Sequence, residues 1–150
     1  IVTGVDISIS AIDECRKRLV DRGLDCDLIV SDLLDLKLDV EKFDVILVHY
    51  VLGALLEEER KIGMKKLMDL IKGGGLVIFE DLASGDVRET RGEMIEEGTI
   101  RKGNGITQHF FVEDEVRVLF EEFDIISLSV DEWLHGKMKR RRVLGHFKFR

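Results

Sequence analysis

Short apolar runs alternate with helical patterns along the chain, and this alternation restricts the fold more than any other feature of the sequence. Residues 1–7, 26–30, 43–48 and 76–79 have the composition of strands, with helical patterns between several of them. Strands that alternate with helices form a parallel sheet covered by those helices, so the pattern predicts an α/β fold. No internal repeat and no interdomain linker is visible, and we therefore expect one domain over residues 1–150.

The first two helices are predicted by their ends as much as by their apolar spacing. Ser10 is the candidate N-cap of the first helix, and Gly23 can supply its left-handed C-terminal residue. Its expected apolar face consists of Ile12, Cys15, Leu19 and Val20. The second helix lies between about residues 57 and 72, with three glutamates at its positive end and three glycines after it. The continuous runs 43–48 and 76–79 are typical of strands buried on both faces.

The second half of the chain has a weaker pattern. From residue 84 to 107 the periodicity fades, which favours a functional lid or a mobile loop, with a short helix possible at 86–97. Strict alternation over residues 143–150 predicts an antiparallel strand near the edge of the sheet. The basic run 137–142 is interpreted as a solvated hairpin turn, with an anion or RNA-phosphate contact as the alternative. Trp133 is expected to pack at the start of that turn.

Composition narrows the classes of partner. The chain has 30 acidic and 23 basic residues and a net charge of −7, which argues against a general nucleic-acid binder. No apolar run approaches the roughly 20 residues that cross a bilayer, so we expect a soluble, cytoplasmic protein. The two cysteines, Cys15 and Cys26, form neither a zinc-binding nor a disulfide pattern, and no metal site is predicted.

The residues that could carry chemistry follow the predicted strands. Ligands of an open parallel sheet bind outside the carboxyl ends of its strands. The side chains at those positions are Asp6, Asp32, His49, Tyr50, Glu80 and Asp81. A carboxylate there can accept hydrogen bonds from both hydroxyls of a ribose. For Asp6 a second interpretation, a cap on the turn through Ser8, stays equally open.

Several of these segments resemble a known family. Residues 2–8, 32–33, 43–52 and 70–79 look like consecutive motifs of the class I S-adenosylmethionine-dependent methyltransferases. Residues 108–111, followed by an acidic helix, are similar to the late segment of the family's small-molecule members. The resemblance implies a Rossmann-like three-layer sandwich, a mostly parallel sheet with an antiparallel C-terminal strand, and S-adenosylmethionine as cofactor.

The resemblance also implies roles for individual residues. The expected cofactor-binding residues are Asp6, Ile7, Ser8, Asp32, Leu33 and His49. Asp6 would hold the ribose hydroxyls, Ile7 would pack on the adenine, and Asp32 would accept its amino group beside the Leu33 backbone. His49 is the candidate catalytic base and His109 a second acid/base group. Asp32 as a simple turn residue and His49 as a half-buried structural histidine are the alternatives.

One part of the family pattern is missing from the sequence. The strand, glycine-rich turn and helix that begin the family's fold surround the methionine part of the cofactor. Here residue 1 already stands in what resembles the second strand. We therefore expect a fragment that lacks the first strand and helix, binds the cofactor weakly or not at all, and is inactive alone.

The expected function is methyl transfer to a small molecule. An acidic rim around the acceptor pocket, formed by Glu80, Asp81 and residues 84–111, favours a neutral or cationic acceptor and makes a nucleic-acid partner unlikely. Two alternatives stay open. One is a non-catalytic remnant that binds partners without a cofactor. The other is a nicotinamide-dependent oxidoreductase, against which the antiparallel last strand argues, since a dehydrogenase sheet normally stays parallel.

Overall fold

The computed structural model describes residues 2–38 and 42–150, and these residues contain nine strands, three α-helices and two short 3-10 helices. The strands are β1 Thr3–Asp6, β2 Asp27–Val30, β3 Phe43–His49, β4 Ile71–Leu82, β5 Glu93–Glu96, β6 Thr99–Arg101, β7 Thr107–His109, β8 Phe123–His135 and β9 Met138–Phe149, and the helices are α1 Ile9–Asp21, α2 Glu57–Leu70 and α3 Glu113–Leu119. This order confirms the predicted α/β class. None of the described helices is long and apolar enough to cross a membrane.

The chain divides into two compact units, with the boundary after residue 40. In the first unit α1 connects β1 to β2. The two strands pair in parallel, and Asp6 lies opposite Val30. The N-cap of α1 is Ser8, whose Oγ accepts a hydrogen bond from the Ala11 amide at 3.2 Å. The predicted N-cap, Ser10, is therefore wrong by two residues, because the turn closes earlier. Gly23 adopts the predicted left-handed backbone, with φ of 63°.

The predicted apolar face of α1 is only partly buried. Ile12 is 3% exposed, whereas Val20 is 73% exposed and Cys15 is also exposed. The reason is the narrowness of the sheet that α1 packs on, since two strands cover only a small part of a helix surface.

The second unit contains a four-stranded sheet in the order β3-β4-β9-β8. β3 and β4 are parallel, and β9 is antiparallel to both of its neighbours. The predicted antiparallel strand is confirmed, but β8 takes the edge and β9 lies one position inside it. The core against this sheet is aromatic: the rings of Phe120 and Phe147 stack at 3.9 Å, and Phe79 is fully buried.

The strands β3 and β4 are not buried on both faces, so that prediction is wrong. In β3, Val48 is 3% exposed, but Val45 and Leu47 on the other face are 51% and 65% exposed. In β4, Val77 is fully buried while Leu76 beside it is 36% exposed. Within the described residues only one face of these strands is covered, because the aromatic core packs against one side of the sheet.

Residues 84–107 contain regular structure instead of the expected loop. A 3-10 turn covers Val87–Thr90, and β5, β6 and β7 form an antiparallel meander. Of the short helix that was possible at 86–97, only the 3-10 turn at Val87–Thr90 is present, and residues 93–96 form β5 instead. Thr99 and Ile100 of the central strand are buried, which anchors the meander.

Candidate functional site

Two groups of candidate residues lie at strand ends, one in each unit. The first, here called the β1–β2 site, consists of Asp6, Ile7, Ser8, Asp32 and Leu33. Asp6 is the last residue of β1, and its carbonyl accepts a hydrogen bond from the Ser31 amide at 3.1 Å. Asp32 follows β2 by two residues. The two carboxylates thus lie at the same end of the parallel pair, as the sequence predicts.

Both carboxylates in the β1–β2 site are held by backbone amides. Asp6 Oδ1 accepts a hydrogen bond from the Ser8 amide at 2.7 Å, and Asp32 Oδ1 accepts one from the Leu34 amide at 2.9 Å. The turn-capping interpretation is therefore observed for both. Within the described residues, Oδ2 of each carboxylate has no hydrogen-bond partner. Fixing one oxygen orients the side chain and leaves the other available for a ligand.

The β1–β2 site fits the adenosyl part of S-adenosylmethionine. Ribose offers two hydroxyl donors and adenine an amino donor, and the unpaired oxygens of Asp6 and Asp32 are acceptors. Ile7, next to Asp6, is 68% exposed and can pack against an aromatic ring. Ser8 contributes its cap on α1 and the hydrogen bond that orients Asp6. The residues present therefore match the chemistry expected of them.

The second group, here called the β3–β4 site, consists of His49, Tyr50, Glu80 and Asp81. Parallel pairing places His49 opposite Glu80, and the Tyr50 amide donates to the Glu80 carbonyl at 2.9 Å. The His49 side chain is 56% exposed, and its Nε2 lies 3.7 Å from Glu80 Oε1. This exposure favours a functional role over the alternative of a half-buried structural histidine.

Tyr50 is more closely tied to this site than the sequence suggests. It has φ of 54°, and no other non-glycine residue in the described ranges has a positive φ. Such a conformation costs free energy and is common at functional sites. Its hydroxyl donates a hydrogen bond to Glu80 Oε1 at 3.2 Å. Its ring packs edge-on against the His49 ring, with the two ring centroids 4.5 Å apart. Burial, reinforced by the charge of Glu80, raises the pKa of the Tyr50 phenol.

Arg142 joins the β3–β4 site from β9 and was not anticipated from the sequence. Its Nη1 donates to Glu80 Oε1 at 2.9 Å, and its Nη2 donates to Asp131 Oδ2 at 3.1 Å. The hydrogen bonds to Asp131 and then to Glu80 raise the pKa of the guanidinium. Only its place in a basic run was visible in the sequence, and that run gave no indication of these partners.

Asp81 faces inward and supports the loop after β3. It is 2% exposed, and its Oδ2 accepts a hydrogen bond from the Gly53 amide at 2.8 Å. A Cβ on Gly53 would lie 2.5 Å from Asp81 Oδ1, so the close approach requires glycine. Burial raises the pKa of Asp81 to about 7. The residue holds the turn that follows Tyr50 and does not line an acceptor pocket.

His109 is also buried, with 2% exposure. Its Nδ1 shares a hydrogen bond with Thr99 Oγ1 at 2.7 Å, and its Nε2 lies 2.8 Å from Glu115 Oε2. Both ring nitrogens are thus occupied, and the side chain joins β7 to β6 and α3. This geometry favours a structural role for His109 over proton exchange with a substrate.

The basic run lies in β9 and not in a turn, so the predicted hairpin turn is wrong in its extent. β8 and β9 pair as far as His135 and Met138, and the connecting turn is Gly136 with Lys137. Because β4 pairs with β9 only from Arg142 onwards, and Arg142 pairs with Asp131 of β8, residues 132–141 extend past β4 as a two-stranded hairpin arm. Cross-strand pairing with acidic residues of β8 extends the strand through the basic run.

Trp133 lies on this hairpin arm, in β8, and not packed at the start of a turn as expected. It is 39% exposed and pairs across the strands with Arg140. The guanidinium groups of Arg140 and Arg142 lie 6.0 Å and 5.5 Å from the centre of its ring. An exposed aromatic flanked by two arginines is a surface that can stack on a nucleobase.

Comparison with known proteins identifies relatives of the chain. Residues 1–75, half of the chain, match the family model described as a methyltransferase domain. The tRNA N(3)-cytidine methyltransferase METTL2 of Gallus gallus is 27% identical over 122 residues, which cover 77% of this chain and 33% of that protein. The tRNA N(3)-methylcytidine methyltransferase trm140 of Schizosaccharomyces pombe is 28% identical over 148 residues, which cover 93% and 48%. The chain thus spans about a third to a half of these relatives.

A solved structure confirms the fold. The crystal structure of an S-adenosylmethionine-dependent methyltransferase from Methanosarcina mazei has a TM-score of 0.82 and 21% identity, and the match covers 99% of this chain and 81% of that one. The predicted Rossmann-like methyltransferase fold is therefore correct.

The relatives overturn the expected class of partner. The two curated relatives described above are named for a reaction on tRNA cytidine. The prediction of a small-molecule acceptor with nucleic acid unlikely is therefore wrong. It depended on the net charge of the chain and on the acidity expected at the rim of the acceptor pocket. Neither quantity detects Trp133, which the β8–β9 register brings beside Arg140.

The remaining alternatives can now be compared. The antiparallel β9 and the matched family model both argue against a nicotinamide-dependent oxidoreductase. The matched family model and the relatives named as methyltransferases confirm the predicted enzyme class and its cofactor, S-adenosylmethionine. The chain belongs to the class I S-adenosylmethionine-dependent methyltransferases.

Proposed function

We propose that the protein methylates N3 of a cytidine in tRNA. The observation that carries this proposal is the similarity to two tRNA N3-cytidine methyltransferases from distant organisms, over 77% and 93% of the chain. The hairpin arm supports it, because Trp133 and its flanking arginines suit a nucleobase better than they suit a small neutral acceptor. The cytoplasmic location expected from the sequence stays a prediction.

The β1–β2 site is proposed to bind the cofactor's adenosyl part. Asp6 accepts hydrogen bonds from the ribose hydroxyls, Ile7 packs on the adenine, and Asp32 accepts from the adenine amino group beside the Leu33 backbone. Ser8 keeps Asp6 oriented through its amide. S-adenosylmethionine, when bound, supplies a methyl group activated by its sulfonium centre.

The proposed acceptor changes what is required of His49. N3 of cytosine carries a lone pair and no proton, so its attack on a methyl group needs no general base. Alignment of the base and exclusion of water then carry most of the catalytic effect. We therefore assign His49 to contact and orientation of the acceptor, a role that its 56% exposure at the end of β3 permits.

Because residues 1–150 are expected to be inactive alone, the full chain used in the test is the protein joined to the first strand, glycine-rich turn and helix that are expected to be missing. The test is a methylation assay of this full chain with unmodified tRNA and S-adenosylmethionine, followed by mass spectrometry of the nucleosides. We expect N3-methylcytidine as the product. A methyl group on another nucleoside would contradict the proposed position, and the absence of both cofactor binding and a methylated nucleoside would support the non-catalytic remnant instead.

A variant at Asp6 tests the cofactor part of the proposal. Asp6→Ala removes hydrogen bonds to a charged acceptor, each contributing about 1.5–3 kcal/mol, so we expect roughly 100-fold weaker binding of S-adenosylhomocysteine in calorimetric titration. Asp13→Ala is the matched control, since Asp13 is an exposed carboxylate on α1 paired with Arg16. Equal affinities of the two variants would remove Asp6 from the ribose role.

A further inference from the structure

Glu80 has an accessible oxygen in the β3–β4 site that the proposed function does not yet use. Its side chain is 17% exposed. Oε1 receives the hydrogen bonds from the Tyr50 hydroxyl and from Arg142 Nη1, and it lies nearest to His49 Nε2. Within the described residues Oε2 has no hydrogen-bond partner, and it is not among the buried unpaired polar atoms. One oxygen is therefore fixed by the protein, and the other is unpaired and not fully buried.

The guanidinium that pairs with Glu80 is shared with another acidic side chain. Arg142 is shared between Glu80 and a second carboxylate, Asp131, whose Oδ2 lies 3.1 Å from its Nη2. One guanidinium thus faces two carboxylates. The charge of Glu80 also raises the pKa of the Tyr50 phenol, after the effect of burial. A cationic group is therefore favoured beside Glu80, although Arg142 is already there.

Methylation at N3 turns a neutral base into a cation. The lone pair of N3 forms the new N–C bond, the electron pair of the broken C–S bond stays on sulfur, and no proton is released. The positive charge of the product is shared between N3 and the exocyclic amino group. A carboxylate hydrogen-bonded to that amino group binds the transition state more strongly than the neutral base, because the charge grows as the bond forms.

We propose that Glu80 Oε2 accepts a hydrogen bond from the exocyclic amino group of the acceptor cytosine and stabilises the positive charge that the base gains. This inference rests on the proposed function, since it requires N3 of cytosine as the nucleophile. It makes Glu80 a catalytic residue, while Tyr50 and Arg142 position its carboxylate through Oε1.

The test compares Glu80→Gln with Asp131→Asn in the full chain. Glu80→Gln keeps the size of the side chain and removes its charge, whereas Asp131→Asn weakens the same Arg142 network and leaves Glu80 intact. Hydrogen bonds to charged groups contribute about 1.5–3 kcal/mol, so we expect Glu80→Gln to lower kcat roughly 10- to 100-fold, with KM for tRNA little changed. Asp131→Asn should keep kcat near that of the wild type, and Glu80→Asp, which retains the charge, should recover part of it.

A binding measurement provides a readout that a merely structural role would not change. The probes are the nucleosides cytidine and N3-methylcytidine, titrated with S-adenosylhomocysteine present and followed by NMR. The wild type should prefer the cationic nucleoside, Glu80→Gln should lose that preference, and Asp131→Asn should retain it.

Failures of the two proposals can be told apart. If the wild type forms N3-methylcytidine in tRNA but Glu80→Gln keeps both its kcat and its preference for the cationic nucleoside, only the role of Glu80 is wrong. Equal losses of kcat and of melting temperature in Glu80→Gln and Asp131→Asn would show that Glu80 has only a structural role, as a partner of Arg142. If the wild type forms no N3-methylcytidine at all, the proposed function is wrong and this inference falls with it.

Discussion

The β1–β2 site and the β3–β4 site differ in how the chain builds them. Asp6 and Asp32 are each fixed by the amide of the residue two positions ahead. Glu80 instead contacts Tyr50 and Arg142, which are 30 and 62 residues away in sequence. A locally built site can lose a ligand contact with little effect on the fold. In a site assembled from distant strands, a substitution that removes a ligand contact also removes contacts that stabilise the sheet.

The largest expected effect is a pH dependence of the free energy of unfolding, caused by Asp81. This buried carboxyl accepts a hydrogen bond from the Gly53 amide in the loop after β3. Burial raises its pKa to about 7, whereas an unfolded aspartate titrates near 4. The folded state therefore binds the proton more tightly. The free energy that Asp81 contributes to folding is fully present below about pH 4 and is lost as the pH rises to about 7.

Asp81→Asn provides the measurement for this effect. From about pH 4 to pH 7 the wild type should lose up to about 4 kcal/mol of unfolding free energy relative to this variant, as followed by urea denaturation. Asp44→Asn is the control, because Lys72 holds the pKa of that exposed carboxyl below its usual range and it does not titrate in this interval. Parallel pH profiles of wild type and Asp81→Asn would contradict the raised pKa.

Asp32→Ala tests the locally built site and should have a smaller effect. The variant loses one hydrogen bond to the Leu34 amide, so we expect the unfolding free energy to fall by about 1 kcal/mol or less. The affinity for S-adenosylhomocysteine, measured by calorimetry, should fall roughly 10-fold. Asp35→Ala, an exposed neighbour, should change neither quantity. Strong destabilisation by Asp32→Ala without loss of affinity would show that the site is structural.

The same contrast explains what the sequence could predict. Alternating apolar runs and capping residues act over a few positions, so the α/β class, β1, β3, α2 and the antiparallel β9 were all predictable. The positions of Asp6 and Asp32 depend on the ends of two neighbouring strands, and they were predicted together for that reason. For each of these elements and residues, the sequence pattern that predicts it lies within a few neighbouring positions.

The features that were missed depend on distant pairing. β5, β6 and β7 have only three or four residues each, too few for a clear alternation, and Ile100 is buried in a cluster with Leu82 and Phe110. The contact between Arg142 and Glu80 and the pairing of Trp133 with Arg140 both require the β9 register. That register is fixed by the side of β9 that must be buried, with Phe147 inside.

The smallest expected effect is a shift in the titration of Tyr50, the only tyrosine of the chain, so phenolate absorbance reports on it alone. The midpoint in the wild type should lie above the ordinary value of about 10. Glu80→Gln should lower it, because the repulsion from the carboxylate disappears, while burial still keeps it raised. Arg142→Gln should raise it further, since the guanidinium favours the phenolate.

Fluorescence of Trp133, the only tryptophan, verifies that each variant remains folded. Identical midpoints in all three proteins would mean that Tyr50 does not sense Glu80, and the β3–β4 site would then lack the electrostatic coupling that distinguishes it from the β1–β2 site.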